Sequence, residues 1–149
     1  MEIQSLRLSI TEEEINALLT EFAPDDPPIE NLRVRLTPEG ILVEGDYPTV
    51  LMKVAFQTLW QVKGYGSVFE AQLANVQVSG LSARMLRGVL LKTLRDTLVQ
   101  QPGVRVEEES ILIELSQQPA VQKLRLRMNL TGVHCVPEEL VIEAGPALA

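Results

Sequence analysis

Few side chains in this sequence have the types and spacing that reaction chemistry needs. The one histidine, His134, stands beside the one cysteine, Cys135, in the stretch GVHCV. Successive strand residues point to opposite faces, so these two do not share a metal ion. A lone cysteine makes no internal disulfide. Asp25 and Asp26 lie in the proline loop APDDPP without the further spaced oxygen ligands of a calcium loop, and they read as solvated. No G-x-S-x-G, glycine-rich phosphate loop or H-E-x-x-H occurs. The sequence therefore predicts a protein that is not an enzyme, with no cofactor and no metal.

The charge pattern is as plain. A net charge of −7 and a pI near 4.8 oppose a nucleic-acid or anionic-membrane partner, both of which need a basic footprint. Glu107–Glu109 reads as a wet hairpin turn, or as a docking patch for a basic partner. Arg105, Arg125 and Arg127 alternate with apolar residues, as the solvent face of a sheet does, where they also blunt edge-to-edge pairing. The N-terminal MEIQSLRLSITEEE lacks a basic region followed by an apolar core. If Met1 is the native start, the expected location is the cytoplasm. No run approaches the ~18 apolar residues that a spanning helix takes, so the chain is not expected to span a membrane.

What remains is apolar chemistry. In VLMKVAFQTLWQV, residues 50–62, every second position is Val50, Met52, Val54, Phe56, Thr58, Trp60 and Val62, and the residues between are more polar. This is the two-residue period of a strand with one dry and one wet face. Typical strands run about 5–6 residues, and this one would span about 43 Å at about 3.3 Å per residue. A compact chain of this length is only about 38 Å across. Something must cover a long dry stripe.

The elements that would position the stripe are legible. Residues 2–10 alternate as a strand. Thr11 then opens TEEE with Glu14 three positions on, a capping box before a helix striped with Ile15, Leu18, Leu19 and Phe22. The prolines of 23–28 stop it. Residues 32–36 and 41–45 flank a Pro-x-Gly turn as a hairpin, and Gly64 and Gly66 mark the turn after the long strand. Residues 67–80 are strand-like, but the apolar parity of Phe69, Ala71 and Leu73 is lost at Val76 and Val78, which predicts a bulge near Ala74–Asn75. Ser82 caps a second helix with Leu86, Val89, Leu90, Leu94 and Leu98 on its buried side. A hairpin over 104–115, an alternating strand over 121–130 and a strand over 136–144 complete the chain.

A shift of about 70 residues lays Val34-Arg35 on Val104-Arg105, Ile41-Leu42 on Ile111-Leu112, and the dry positions Val54–Trp60 on Leu124–Leu130. The expected fold is α+β: one curved antiparallel sheet of about eight or nine strands wrapped around two helices. It is an internal duplication of a strand-helix-three-strand unit, in a single domain over 1–149. The pseudo-repeat halves are 1–66 and 67–135, with an extra C-terminal strand in 136–149.

The stretches ITEEEINALL, GILVEGDY, ANVQVSGLSARMLRGVLLKTL and VEEESILIEL, spread over residues 8–115, resemble bacterial lipid-binding proteins of the LmeA and YceB type. Those are relatives of the tubular lipid-binding (TULIP) superfamily. The likeness lies in apolar spacing and in the order of a capped helix, alternating strands, a second helix and a hairpin. It implies a curved sheet around helices that holds a lipid or another apolar small molecule in its groove. Those relatives are exported or lipid-anchored, and this chain shows no export signal and no lipobox cysteine.

Two functions follow. In the first, a non-catalytic carrier or sensor binds an apolar molecule between sheet and helices. Met52, Phe56, Trp60 and Met128 then line the groove, Phe22 and Leu90 face them, and Thr58 supplies a polar contact. In the second, the chain is a structural or interaction module whose stripe is packed core, or whose uncovered end or free sheet edge makes a homodimer.

Overall fold

Thr11 ends the first strand and begins the first helix. The computed structural model describes residues 4–21, 29–78, 83–98, 101–124 and 127–146. In it the Glu14 backbone N–H donates to Thr11 Oγ1 at 3.1 Å, which satisfies one of the donors that a helix N-terminus leaves unpaired. The elements in order are β1 (Leu6–Thr11), α1 (Glu12–Glu21), β2 (Glu30–Thr37), β3 (Gly40–Pro48), β4 (Lys53–Tyr65), β5 (Val68–Val78) and α2 (Ala83–Leu98). After them come β6 (Val104–Val106), β7 (Ser110–Glu114), a 3-10 turn (Leu115–Gln117), α3 (Pro119–Leu124), β8 (Asn129–Val136) and β9 (Glu139–Gly145). The chain is α+β with antiparallel pairing, as the alternation predicts. The Ser82 cap, the proline stop at 23–28, Asp25, Asp26, Phe22 and Arg125 lie outside the described residues.

The single curled sheet is corrected. Among the described residues nine strands form two sheets, one ordered β2-β3-β4-β5-β7-β6 and one ordered β1-β9-β8. Periodicity identifies strands but carries nothing about which strand pairs with which. The strand expected over 121–130 is also corrected. Residues Pro119–Leu124 form α3, and β8 begins only at Asn129. Pro119 is the first helical residue, where its fixed φ is already helical and its missing N–H costs nothing, and the Gln118 side chain donates to Pro102 O at 2.8 Å, tying the segment down. There are thus three α-helices among the described residues, not two. The order strand, helix and three strands does recur, as β1-α1-β2-β3-β4 and β5-α2-β6-β7-β8. Pairing differs: β4 joins the sheet of β2 and β3, whereas β8 leaves that of β6 and β7.

The long strand has the expected thirteen residues, moved three positions on to Lys53–Tyr65. Its dry face holds Val54, Phe56, Thr58 and Trp60, all buried. Across from it, Leu59 pairs with Asn75 but Trp60 with Leu73, so Ala74 has no partner. The parity slip in the sequence is this bulge.

Three separate pieces cover the stripe. Leu90 and Leu91 of α2 pack with Trp60, Ala71 and Leu73 in one core cluster. At the far end β8 crosses β4 so closely that a Cβ on Gly64 would lie 2.6 Å from Val133 Cγ2 and 3.0 Å from Leu130 Cβ. Gly64 is therefore a close-approach residue inside β4 and not part of a turn. Beside it, Leu140 of β9 joins Val34 and Leu36 in a second cluster, with Val62, Phe69, Val133 and Ile142 packed on it. At the near end Phe56 and Ile29 close over Gly45, where a Cβ would meet both at 3.0 Å.

Helix α1 has no fully buried residue, but its Ile15 and Leu19 pack on the second cluster. It lies along β2, the outer strand of the larger sheet. The Asn16 side chain donates from Nδ2 to Val34 O and accepts at Oδ1 from Val34 N–H, each at 2.8 Å. One amide thus supplies the donor and acceptor that a further strand would have supplied, which protects an edge otherwise open to pairing. Two residues on, Leu36 O accepts from Glu138 N–H in the β8–β9 turn.

Candidate functional site

The structure separates the six candidate lining residues. Phe56, Trp60 and Leu90 are each 4% exposed, and Trp60 and Leu90 belong to one cluster. These three are inward-facing, as expected. Met52 is not: it is 63% exposed and lies in the β3–β4 turn. Met128 is half-buried just before β8, outside both core clusters. Phe22 lies outside the described residues. The groove as a set of six residues is not assembled among the described ones.

The polar member of the stripe, Thr58, is fully buried. Its Oγ1 accepts the indole N–H of Trp60 at 2.9 Å and donates to Val43 O at 3.3 Å. Its one donor and one of its acceptor positions are thus occupied within the protein. Among the described residues no buried side-chain nitrogen or oxygen lacks a partner.

Among the described residues two concavities open to solvent stand out. The first, about 470 Å³, is lined by Asn31, Glu44, Gly45, Asp46, Ala55, Phe56, Gln57, Gln77 and Val78. Of these, the wet-face neighbours are Glu44 paired with Gln57, Gln57 with Gln77, and Asp46 with Ala55, while Gly45, Phe56 and Val78, paired in a row, bring the dry face to it. Small Ala55 opens the slot. Gln57 donates to Glu44 at 3.0 Å, Asn31 donates to Asp46 at 2.8 Å, and Arg35 pairs with Glu44 at 2.7 Å. The second, about 370 Å³, lies where β3 begins and β4 runs on past it, beside the β2–β3 turn and β8, and includes Glu39, Lys63, Glu70, His134 and Cys135. Lys63 pairs with Glu70 at 3.0 Å and lies over the Tyr65 ring. The Glu70 carboxylate, through its hydrogen bond and its charge, holds the Lys63 ammonium above its usual range. Of the described candidates Phe56 borders the first concavity, and Met52, Trp60, Leu90 and Met128 border neither.

The nucleophile chemistry is equally muted. His134 is exposed while Cys135 packs inward against the second cluster, as strand alternation predicts. Burial pushes the Cys135 thiol up, which keeps it from the reactive thiolate form. Partial burial also pushes the Glu114 carboxyl up, but hydrogen bonds from Ser116 and Ser67 outweigh it and hold the group below its ordinary value. Among the described residues no group of three or more His, Cys, Asp or Glu side chains is placed to hold a metal ion, and no helix is long and apolar enough to cross a membrane.

One feature escapes the periodic reading. Val50, Leu51 and Met52 are 103%, 91% and 63% exposed at the tip of the β3–β4 hairpin. Thr49 holds the turn: its N–H and Oγ1 donate to Met52 O at 2.8 and 2.6 Å, and its Oγ1 accepts from Met52 N–H at 3.1 Å. The signal was present as TVLM following Tyr47-Pro48, since a proline there ends a strand well, but unbroken alternation hid it.

Comparison with known families, curated proteins and solved structures finds no match to this chain.

Proposed function

We propose that this protein is a non-catalytic protein-interaction module whose dry stripe is packed core. One contrast carries the reading. The inward candidates Trp60 and Leu90 pack together in one core cluster of their own chain, while three consecutive large apolar residues stand in solvent at a hairpin tip. Isolated exposed apolar residues are ordinary, but a contiguous apolar patch marks a contact surface. The same reading takes the chain as a single domain. It also takes the recurring strand-helix-three-strand order as a duplication whose second copy diverged when α3 entered before β8.

Native mass spectrometry of freshly purified protein, followed by denaturing extraction, tests the choice against the carrier. The module predicts the bare chain mass and no extractable lipid. A mass excess that extracts as lipid or fatty acid would restore the carrier, with Trp60 and Phe56 as its wall. A clean dimer would identify the partner as a second copy.

A further inference from the structure

We propose that the Val50–Met52 tip is a preformed anchor that enters an apolar pocket, rimmed by cationic side chains, on a different folded protein. This inference rests on the interaction-module reading and gives it a surface and a partner class. The first observation is shape. Among the described residues β2 begins at Glu30 opposite Asp46 and β5 reaches Val78 opposite Phe56, and beyond those pairs the hairpin carries Val50, Leu51 and Met52 in solvent. A projecting tip needs a concave receptor.

The second observation is rigidity. Thr49 satisfies both backbone groups of Met52 through three hydrogen bonds, so Val50 and Leu51 are presented from a closed turn. Presentation from an ordered turn lowers the entropy lost on docking. The third is charge. The base of the tip carries Glu30, Asp46 and Lys53. The Lys53 ammonium is 2.7 Å from the Glu30 carboxylate, and Asp46, which accepts from the Asn31 amide at 2.8 Å, also acts on Lys53 by its charge, so two carboxylates share one ammonium at the base of the tip. With −7 on the whole chain, an anionic bilayer or a second copy would be repelled, and a basic rim attracted. Three side chains cover much less than the ~800 Å² that each side of a stable interface takes up. The tip is thus the anchor, and the slot that begins at Asp46 and Ala55, with Phe56 and Val78 in its wall, is the adjoining contact.

The test places a photo-crosslinking benzophenone amino acid at position 51 and, separately, at position 77 in the slot. The full chain is irradiated in a lysate of its source cells. The captured protein is then purified and titrated against wild type, Leu51→Ser and Thr49→Val at low and high salt. Vesicles of phosphatidylcholine, with and without phosphatidylglycerol, are titrated alongside. The expected result is one adduct at position 51 whose purified partner binds more weakly as salt rises. Leu51→Ser should weaken it about tenfold or more, and Thr49→Val by a smaller factor, with unchanged melting temperatures. An adduct only at position 77 overturns the anchor and keeps the module. No adduct at either position, together with extractable lipid, overturns both, and without extractable lipid it overturns the anchor. Self-adducts, vesicle binding lost in Leu51→Ser, or a partner indifferent to Leu51→Ser also overturn the anchor.

Discussion

Replacing Thr58 by Val tests whether the stripe is closed core. The substitution keeps shape and removes one hydroxyl from a site with no exposure. The Trp60 indole N–H, bonded to that hydroxyl at 2.9 Å, is left buried without an acceptor. Stranding such a donor costs about 1–3 kcal/mol, and the added methyl recovers at most about 0.8 kcal/mol. The net loss should be about 1–2 kcal/mol. Trp60→Phe removes the donor along with part of the ring, at a cost of about 1–3 kcal/mol in lost packing. In the double variant no N–H is stranded, so its cost should fall short of the sum by about 1 kcal/mol or more. Urea unfolding followed by far-ultraviolet circular dichroism measures all four corners, because Trp60 is the single tryptophan and its removal abolishes a fluorescence signal. Additivity within about 0.5 kcal/mol would refute the closed core. It would mean that water or another group reaches the indole, as it would in a ligand cavity.

Asn16→Ala strips both partners from buried Val34, and the loss should be about 1–3 kcal/mol, with faster hydrogen exchange at the Val34 amide. Gly64→Ala forces a Cβ to within 2.6 Å of Val133; overpacking of this kind costs about 1–3 kcal/mol, and adding Val133→Ala should recover part of it in the same unfolding assay. Glu114 has a depressed folded pKa, so its contribution is complete above the ordinary glutamate value of about 4.3 and is lost as pH falls below that through the folded value. Glu114→Gln should flatten the acid limb of stability against pH in that window and leave its slope near neutrality unchanged.

Much of the local structure was legible because it follows from neighbours in the chain. The Thr11 cap needs only Glu14 three residues on. The bulge at Ala74 follows from two opposed parities on one strand, Leu73 with Phe69 and then Val76 with Val78. The wet and dry faces of β4 follow from alternation. Alternation failed where two structures satisfy it equally. Val50 and Met52 continue the pattern of Val54, but register with β3 pairs Pro48 with Lys53 and throws them into the turn. Residues 121–124 satisfied a strand template while Pro119 started a helix.

The sequence alone therefore determined the type of most elements, the inward set Phe56, Thr58, Trp60 and Leu90, and the absence of familiar catalytic motifs. Each depends on spacing within a few residues or on composition. Tertiary structure decided what covers the stripe. A second sheet lies over Gly64 where a helix was expected, Asn16 seals an edge eighteen residues away, and Val50–Met52 stand in solvent. Those outcomes depend on long-range pairing, in which many strands of similar pattern compete and close packing at single residues such as Gly64 selects among them.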